Sequence, residues 1–312
     1  MQLTGCYGTY FSPESSGVYR FTLNTGNGVP ENAALLYAAR DAKCMCRVGG
    51  GIAAPVQQGE QAGLVRFGTD GAKEAQALFE HGTGCFLADD GTYLYSANYH
   101  EGTVTVCARD TLRPVHRIEA GAGAGCHQVL LHGGLLLVPC LERDEVRIYK
   151  RGGAFAQTGA LTFAAGTGPR HGVFDSAHRR LFLVSERSNE LFCWRVDGAD
   201  FTLEQTCTVA DGGASAAIRL SPDERFLYLS TREKNLLTVF ALEGTRARRL
   251  QQVSCGGRHP RDFDLTPDGR WLVCLNRDSG EIVSFAVDRA SGRIGPEAGR
   301  LRAPQASGLL WL

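Results

Sequence analysis

A chain of 312 residues with 43% apolar residues can bury a large core, and its length fits one large β domain or two ordinary ones. Lysine plus arginine number 33, and aspartate plus glutamate also number 33. The formal net charge is therefore zero, which argues against nucleic acid or an anionic membrane as a partner, because both favour a basic surplus. The 39 glycines and only 2 methionines are typical of many short strands joined by tight turns.

Residues 1–5 lack the charged segment and following apolar stretch of a signal, and no apolar run approaches the ~20 residues of a membrane helix. None of the eleven cysteines forms a Cys-x-x-Cys pair, and most lie within apolar strand patterns. This pattern predicts buried free thiols rather than a metal or redox motif. We therefore expect a cytoplasmic chain in a reducing compartment, with no membrane and no nucleic-acid partner.

One unit recurs along the chain: an apolar strand, a polar turn, a second apolar strand, another turn and a third strand. The first apolar residue of each third strand recurs at intervals of 46, 40, 42, 45, 46 and 45 residues: Val18, Leu64, Val104, Val146, Leu191, Leu237 and Ile282. A period in the forties is the size of a four-stranded propeller blade. The sequence therefore predicts an all-β, seven-bladed β-propeller of four-stranded antiparallel blades, formed as a single domain over residues 1–312.

The two ends of the chain supply the parts of one blade. Residues 6–10 and 17–21 read as a second and a third strand, and the apolar segment 308–312 stands alone. An open ring would expose bare strand edges, so we expect the N- and C-terminal strands to close the last blade together. Residues 49–59 break the repeat, and we expect them to form a surface loop within the first blade.

Polar residues recur at two positions of the repeat. The starts of the inner strands align at His127, Arg170, Ala216 and Arg261, and the series extends to Thr83 and Gln305. The ends of the second strands align at Asn98, Glu142, Glu186, Arg232 and Arg277. In a blade whose second strand returns antiparallel, both positions lie on the same face of the disc. The pattern predicts a pocket of histidine, arginine and glutamate at one mouth; the alternative is that these charges line a wet channel and pair with one another.

The same segments resemble a known family. GCHQVLL from Gly125, GTGPRHGVF from Gly166 and LVSERSN from Leu183 look like the propeller lactonases, which include propeller-type 6-phosphogluconolactonases and fungal 3-carboxymuconate lactonizing enzymes. The resemblance implies catalytic roles for Glu186, His127 and Arg170. It implies substrate binding by His171 and Arg232, with no cofactor and no metal. Arg261, which starts an inner strand in the same register, is a further substrate-binding candidate because its planar donor fork can hold a phosphate or carboxylate. Either Glu186 or His127 could be the general base. For each of the two histidines, His127 and His171, the alternative to a functional role is a purely structural one.

The resemblance implies hydrolysis of a small anionic sugar lactone, with 6-phosphogluconolactone of the pentose phosphate pathway as the leading substrate, by a monomer or weak homodimer. Two alternatives stay open: an isomerase that opens or closes a carboxymuconate-type lactone, and a propeller that serves only as a binding platform. Four positions depart from the family pattern and leave the substrate open: Phe86, Ser185, Ala217 and Thr231.

Overall fold

The computed structural model describes residues 1–312, in which twenty-eight strands form seven four-stranded antiparallel sheets. We number the blades in chain order and give the strands of each from the axis outward. Blade 1 contains β4 (Cys46–Val48), β5 (Gly51–Gln58), β6 (Gln61–Gly68) and β7 (Lys73–Glu80). Blade 2 contains β8 (Phe86–Asp89), β9 (Tyr93–Asn98), β10 (Thr103–Ala108) and β11 (Pro114–Glu119). Blade 3 contains β12 (Leu130–His132), β13 (Leu135–Cys140), β14 (Glu145–Lys150) and β15 (Gln157–Thr162).

The remaining blades continue the same order. Blade 4 contains β16 (Pro169–Phe174), β17 (Arg180–Ser185), β18 (Glu190–Asp197) and β19 (Asp200–Thr208). Blade 5 contains β20 (Ser215–Leu220), β21 (Phe226–Thr231), β22 (Leu236–Glu243) and β23 (Arg246–Ser254). Blade 6 contains β24 (Pro260–Leu265), β25 (Trp271–Asn276), β26 (Glu281–Val287) and β27 (Ile294–Arg302). The closing blade contains β28 (Ala306–Trp311), β1 (Gln2–Thr9), β2 (Gly17–Asn24) and β3 (Pro30–Ala38).

The predicted seven-bladed fold and its closure are confirmed. The C-terminal strand β28 is the inner strand of the closing blade and pairs antiparallel with β1, with Tyr7 opposite Leu309 and Gly5 opposite Trp311. The indole Nε1 of Trp311 also donates to the carbonyl oxygen of Leu265 in blade 6 at 2.9 Å. The last strand therefore joins the two ends of the chain and also contacts the preceding blade.

The prediction that residues 49–59 form a surface loop is wrong, because Gly51–Gln58 is strand β5, the second strand of blade 1. Its apolar run is buried, with Ile52 and Ala54 fully inaccessible. The strand contains Pro55, and proline is disfavoured in a central strand because it has no N–H to donate. Here β4 pairs with β5 only as far as Ala53, so Pro55 lies where the inner partner strand has already ended.

The core lies between the blades, because each sheet buries both of its faces against its neighbours. Between blades 2 and 3, for example, Tyr95 and Val106 pack in one cluster with Val138 and Tyr149. All eleven cysteines are free thiols, and most are buried among these clusters. The one helical segment is a 3-10 turn (Leu141–Arg143), and no helix is long and apolar enough to cross a membrane.

Candidate functional site

The six predicted site residues come from three adjacent blades and one loop. Arg170 and His171 lie at the start of β16, and Arg261 lies at the start of β24. Glu186 directly follows β17, and Arg232 directly follows β21. His127 precedes β12, next to an isolated bridge between Cys126 and Cys140. The structure thus places all six at the starts of inner strands or the ends of second strands, on one face of the disc.

Two adjoining cavities open at this face. The first, the mouth cavity, has a volume of about 220 Å³ and is lined by Tyr10, Lys43, Cys85, Tyr99, His100, His127, Glu186, Arg232 and Arg261. The second, the channel cavity, has a volume of about 170 Å³ and reaches toward the axis, with Arg170, His171 and Phe86 in its wall. The two cavities share five residues: Tyr10, Lys43, Cys85, His127 and Arg261. Together, the walls of the two adjoining cavities contain all six predicted residues.

A carboxylate held between two arginines lies at the centre of the site. Arg170 Nε donates to Glu186 Oε2 at 2.8 Å, and Arg232 Nη2 lies 2.7 Å from the same oxygen. Arg170 is almost fully buried, with 1% of its surface exposed, and its Nη1 donates to the carbonyl oxygen of Ala216 at 2.6 Å. Both arginines contact Oε2, and Oε1 of Glu186 makes no hydrogen bond to the protein. One oxygen of the carboxylate is therefore free for a ligand or water.

The charges around this pair set its ionisation. Burial by itself would raise the pKa of Glu186, but Arg170 and Arg232 outweigh it and hold that pKa below its ordinary value. Burial, together with the positive charges of Arg261 and Arg232, lowers the pKa of Arg170 to about 9. At neutral pH the site therefore contains an ionised carboxylate and a charged guanidinium.

The two histidines form a chain that begins at Arg170. Arg170 Nη1 lies 3.2 Å from His171 Nδ1 and 3.4 Å from His171 Nε2, and His171 Nε2 also lies 3.0 Å from His127 Nδ1. Burial and the positive charge of Arg170 lower the pKa of both imidazoles well below the ordinary value, so both rings are neutral at pH 7. The nearer imidazole nitrogen of His171 accepts from the guanidinium, since a guanidinium can only donate. On this assignment His171 donates from Nε2 to His127, and His127 carries its own proton on Nε2.

A second carboxylate occupies the equivalent position on the neighbouring blade. Glu142 follows β13, accepts from the hydroxyl of Tyr99, and binds Arg187 through Nη2 and Oε1 at 2.6 Å. Glu142 is absent from the walls of both cavities. This ion pair therefore belongs to the rim, beside the site.

Sequence reasoning missed two residues of the site, Tyr10 and Lys43. Tyr10 follows β1, which is the second strand of the closing blade, and Lys43 precedes β4, which is the inner strand of blade 1. Both obey the positional rule that found the others, and Lys43 precedes Thr83 by 40 residues, an interval already present in the repeat. The loop wrongly assigned to the first blade concealed the start of its inner strand at Lys43, whereas Tyr10 ends a segment, residues 6–10, that the sequence did predict as a second strand.

Two of the four positions that depart from the family pattern, Phe86 and Ala217, have defined packing partners. The ring of Phe86 meets that of His171 edge-on, with centroids 5.6 Å apart, and it forms part of the channel wall. Ala217 is fully buried, and its amide donates to the hydroxyl of Ser230 at 3.1 Å. Phe86 therefore makes the channel wall more apolar beside His171, and Ala217 brings no charge to the site.

Larger cavities lie elsewhere on the molecule. One of about 330 Å³ lies between blades 5 and 6 and is lined by turn residues such as Pro222 and Asp268. Another, of about 660 Å³, is lined by residues around His132 and Arg180. Neither of these two cavities is lined by any of the six predicted residues. The charged groups therefore converge on smaller cavities, and cavity volume alone would not identify the candidate site.

Comparison with known proteins finds one family over nearly the whole chain. The family described as "Lactonase, 7-bladed beta-propeller" matches residues 4–311. A 6-phosphogluconolactonase of Serratia proteamaculans is 29% identical over 249 residues, which cover 71% of this chain and 71% of the relative.

Solved structures share the whole architecture. A protein from Lactobacillus plantarum superposes with a TM-score of 0.93 at 27% sequence identity, covering 100% of both chains. The periplasmic gluconolactonase of Pseudomonas aeruginosa superposes with a TM-score of 0.87, covering 100% of this chain and 99% of that one. Its identity to this chain is 22%, so that likeness is one of fold alone.

Proposed function

The chain belongs to the seven-bladed β-propeller lactonase family, and from that premise we propose that it hydrolyses a small anionic sugar lactone, 6-phosphogluconolactone, to 6-phosphogluconate at the mouth cavity. The observation that carries the proposal is Glu186, ionised between Arg170 and Arg232 with one oxygen left free, in a cavity that Arg261 also lines. Hydrolysis of a lactone needs an activated water, stabilisation of the developing oxyanion and a grip on the substrate's charge.

Glu186 is the general base in this proposal. Its free Oε1 accepts a proton from water while the water oxygen attacks the lactone carbonyl carbon. The bond between that carbon and the ring oxygen then breaks, and the ring oxygen becomes a hydroxyl by taking the proton held by Glu186, which restores the carboxylate of the enzyme. The new carboxylic acid of the product loses its proton to water. The lowered pKa of Glu186 keeps it ionised, and a base of low pKa is a weak one, so the reaction depends strongly on positioning of the water.

His127 is a hydrogen-bond donor in this proposal rather than a base. The chain from Arg170 through His171 leaves the proton of His127 on Nε2, the nitrogen not engaged by His171. A neutral imidazole N–H aimed at the carbonyl oxygen stabilises the oxyanion without a change of charge on the enzyme. Arg170, whose Nη2 makes no hydrogen bond to the protein, stabilises the same developing charge from the channel side.

Substrate binding falls to the remaining residues. Arg232 and Arg261 attract the anionic group through planar forks of donors, and His171 supports His127. The two alternative functions make different predictions. An isomerase would act on a muconolactone, whereas a propeller that serves only as a binding platform would accelerate no reaction.

The test is a rate measurement on freshly prepared 6-phosphogluconolactone, corrected for spontaneous hydrolysis. Glucono-1,5-lactone and a muconolactone are measured in parallel at matched concentrations. We expect the phosphorylated lactone to give the highest kcat/KM. A rate equal to that of buffer on every lactone would exclude hydrolysis, and a preference for the muconolactone would favour the isomerase.

We also propose that the protein is cytoplasmic, on the ground that eleven free thiols suit a reducing compartment. The gluconolactonase of Pseudomonas aeruginosa with the same fold is named as periplasmic, so the fold is compatible with either compartment. Fractionation of cells that express the full chain decides between them, and recovery in the periplasmic fraction would refute the proposal.

A further inference from the structure

Two cations of the mouth cavity have no carboxylate partner. Arg170 and Arg232 share Glu186, whereas Lys43 and Arg261 make no ion pair with any acidic side chain. Both are only partly exposed to solvent. Positive charge that is partly withdrawn from water is costly unless an anion or a network of water compensates it. These two residues therefore mark the part of the cavity with unbalanced positive charge.

The phenol of Tyr10 lies between these cations. Arg261 Nη2 donates to the Tyr10 hydroxyl at 3.1 Å, and Lys43 Nζ lies 5.7 Å from the centre of its ring. Burial by itself would raise the pKa of Tyr10, but the charges of Arg261, Lys43 and Arg277 outweigh it and lower that pKa. Because the hydroxyl accepts from Arg261, its own proton is free to be donated to a ligand.

The backbone that carries Lys43 is held by close packing against the closing blade. A Cβ added to Gly8 would lie 2.0 Å from the carbonyl oxygen of Ala42, and one added to Gly308 would lie 2.9 Å from that of Lys43. Only glycine permits the two strands to approach the loop this closely. Lys43 is therefore positioned by a packed segment, which suits a binding role.

We propose that Lys43, Tyr10 and Arg261 form a subsite for the dianionic phosphoryl group of the substrate, beside the reaction centre at Glu186. The mouth cavity is lined by three side-chain cations and one carboxylate, an excess of two positive charges that matches a phosphate dianion. Arg261 presents a fork of donors, Lys43 a compact charge and Tyr10 a neutral donor. This subsite rests on the proposed function and assigns the side chains that hold the phosphoryl group of its substrate.

The experiment compares Lys43→Met, Lys43→Arg and the parent protein on 6-phosphogluconolactone and glucono-1,5-lactone. Loss of one charged hydrogen bond to phosphate predicts that Lys43→Met lowers the ratio of the two kcat/KM values by roughly 10- to 100-fold, through KM of the phosphorylated substrate. Lys43→Arg keeps the charge and retains most of the ratio. Lys73→Met, on the exposed outer strand β7, is the matched control and leaves the ratio unchanged.

Binding of 6-phosphogluconate and of inorganic phosphate, measured by calorimetry, separates this subsite from the proposed reaction. If the parent hydrolyses neither lactone but binds 6-phosphogluconate more tightly than Lys43→Met does, the reaction is wrong and the subsite stands. If Lys43→Met lowers both kcat/KM values equally, or neither, the subsite is wrong even when hydrolysis is real. Equal affinity of a folded Lys43→Met and the parent for 6-phosphogluconate also overturns it.

Discussion

Arg170 Nε donates to Glu186 Oε2 at 2.8 Å, which joins the start of one strand to the residue just beyond the end of its antiparallel neighbour. The two residues are 16 positions apart in the chain and belong to one blade. Arg232 of the next blade approaches the same oxygen, so the carboxylate links two blades at the mouth. A substitution at Glu186 consequently affects both the reaction and the local balance of charge.

Replacement of Glu186 by glutamine removes the proposed base and leaves Arg170 and Arg232 without their anion. We expect kcat/KM on 6-phosphogluconolactone to fall by roughly 10²- to 10⁴-fold, the usual contribution of a positioned base. Steady-state rates corrected for spontaneous hydrolysis measure the effect. Glu142→Gln, at the equivalent position of the neighbouring blade, is the control, and we expect it to change the rate by less than about fivefold. Turnover of Glu186→Gln at the parental rate would remove Glu186 from the mechanism.

Substitution of His127 distinguishes a donor from a base. Glutamine can place an amide N–H near the position of the imidazole Nε2, whereas phenylalanine has no polar atom there. If His127 donates to the oxyanion, we expect His127→Phe to lose about 10²- to 10³-fold in kcat, and His127→Gln to retain much more activity. If His127 were the base, both variants would be equally impaired, and that result would transfer the role of base to the imidazole.

The pH dependence of the rate follows from the pKa shifts. Glu186 must be ionised to act, and its pKa is held below its ordinary value of 4.5, so activity is lost only as pH falls through that low pKa. His127 has a pKa well below 6.5 and does not titrate near neutrality. We therefore expect kcat, measured at saturating 6-phosphogluconolactone, to be flat from about pH 6 to 8. The ratio kcat/KM on this substrate also follows the second ionisation of its phosphate, with a pKa of about 6, so glucono-1,5-lactone is measured in parallel. A single ionisation centred near pH 6.5 in kcat, seen with both lactones, would show that an ordinary histidine controls the reaction.

The repeat made the fold predictable because each blade has the same hydrophobic pattern, and the spacing of residues such as Val104 and Val146 survives changes of loop sequence. The same spacing brought Arg170 and Glu186 to one mouth. It could not give their mutual distance or the shared oxygen, which depend on side-chain conformations across two blades. It also failed in the first blade, where residues 49–59 break the repeat although Gly51–Gln58 is a buried strand, so the start of the inner strand at Lys43 was not identified.

The stability of the protein responds to pH through Asp264 on β24. Burial raises the pKa of this carboxyl from 3.8 to about 6, even though Arg219 Nε lies 3.6 Å away. Between these two pH values the folded chain retains a proton that the unfolded chain has lost, so stability decreases as pH rises through this window. Asp264→Asn cannot become charged, and we expect it to raise the melting temperature at pH 8 more than at pH 4.

The control for this prediction is Asp262, which binds Arg219 Nη2 at 2.8 Å and accepts from the amide of Leu309 at 3.0 Å. Asp262→Asn weakens an existing ion pair, so we expect a lower melting temperature at pH 8. Thermal melts of both variants at the two pH values provide the measurement. A pH-independent effect of Asp264→Asn would show that its charge does not oppose folding.

Closure of the ring predicts that the last strand is essential to folding. Deletion of residues 308–312 removes the pairing of Leu309 with Tyr7 and of Trp311 with Gly5, together with the bond from Trp311 to Leu265. The inner edge of β1 then becomes exposed, and an unpaired strand edge promotes association. We expect the truncated chain to aggregate or to lose cooperative melting, as measured by calorimetry and light scattering.

Trp311→Phe is the matched control, because it retains the strand pairing and removes only the indole donor to Leu265. One lost hydrogen bond, with the carbonyl left to find water, costs about 1 kcal/mol, so this variant melts cooperatively at a slightly lower temperature. A synthetic peptide of residues 306–312 added to the truncated chain can re-form the inner strand and restore the cooperative transition. If the truncated chain melts like the parent without the peptide, the strand at the C-terminus does not close the ring that supports the site.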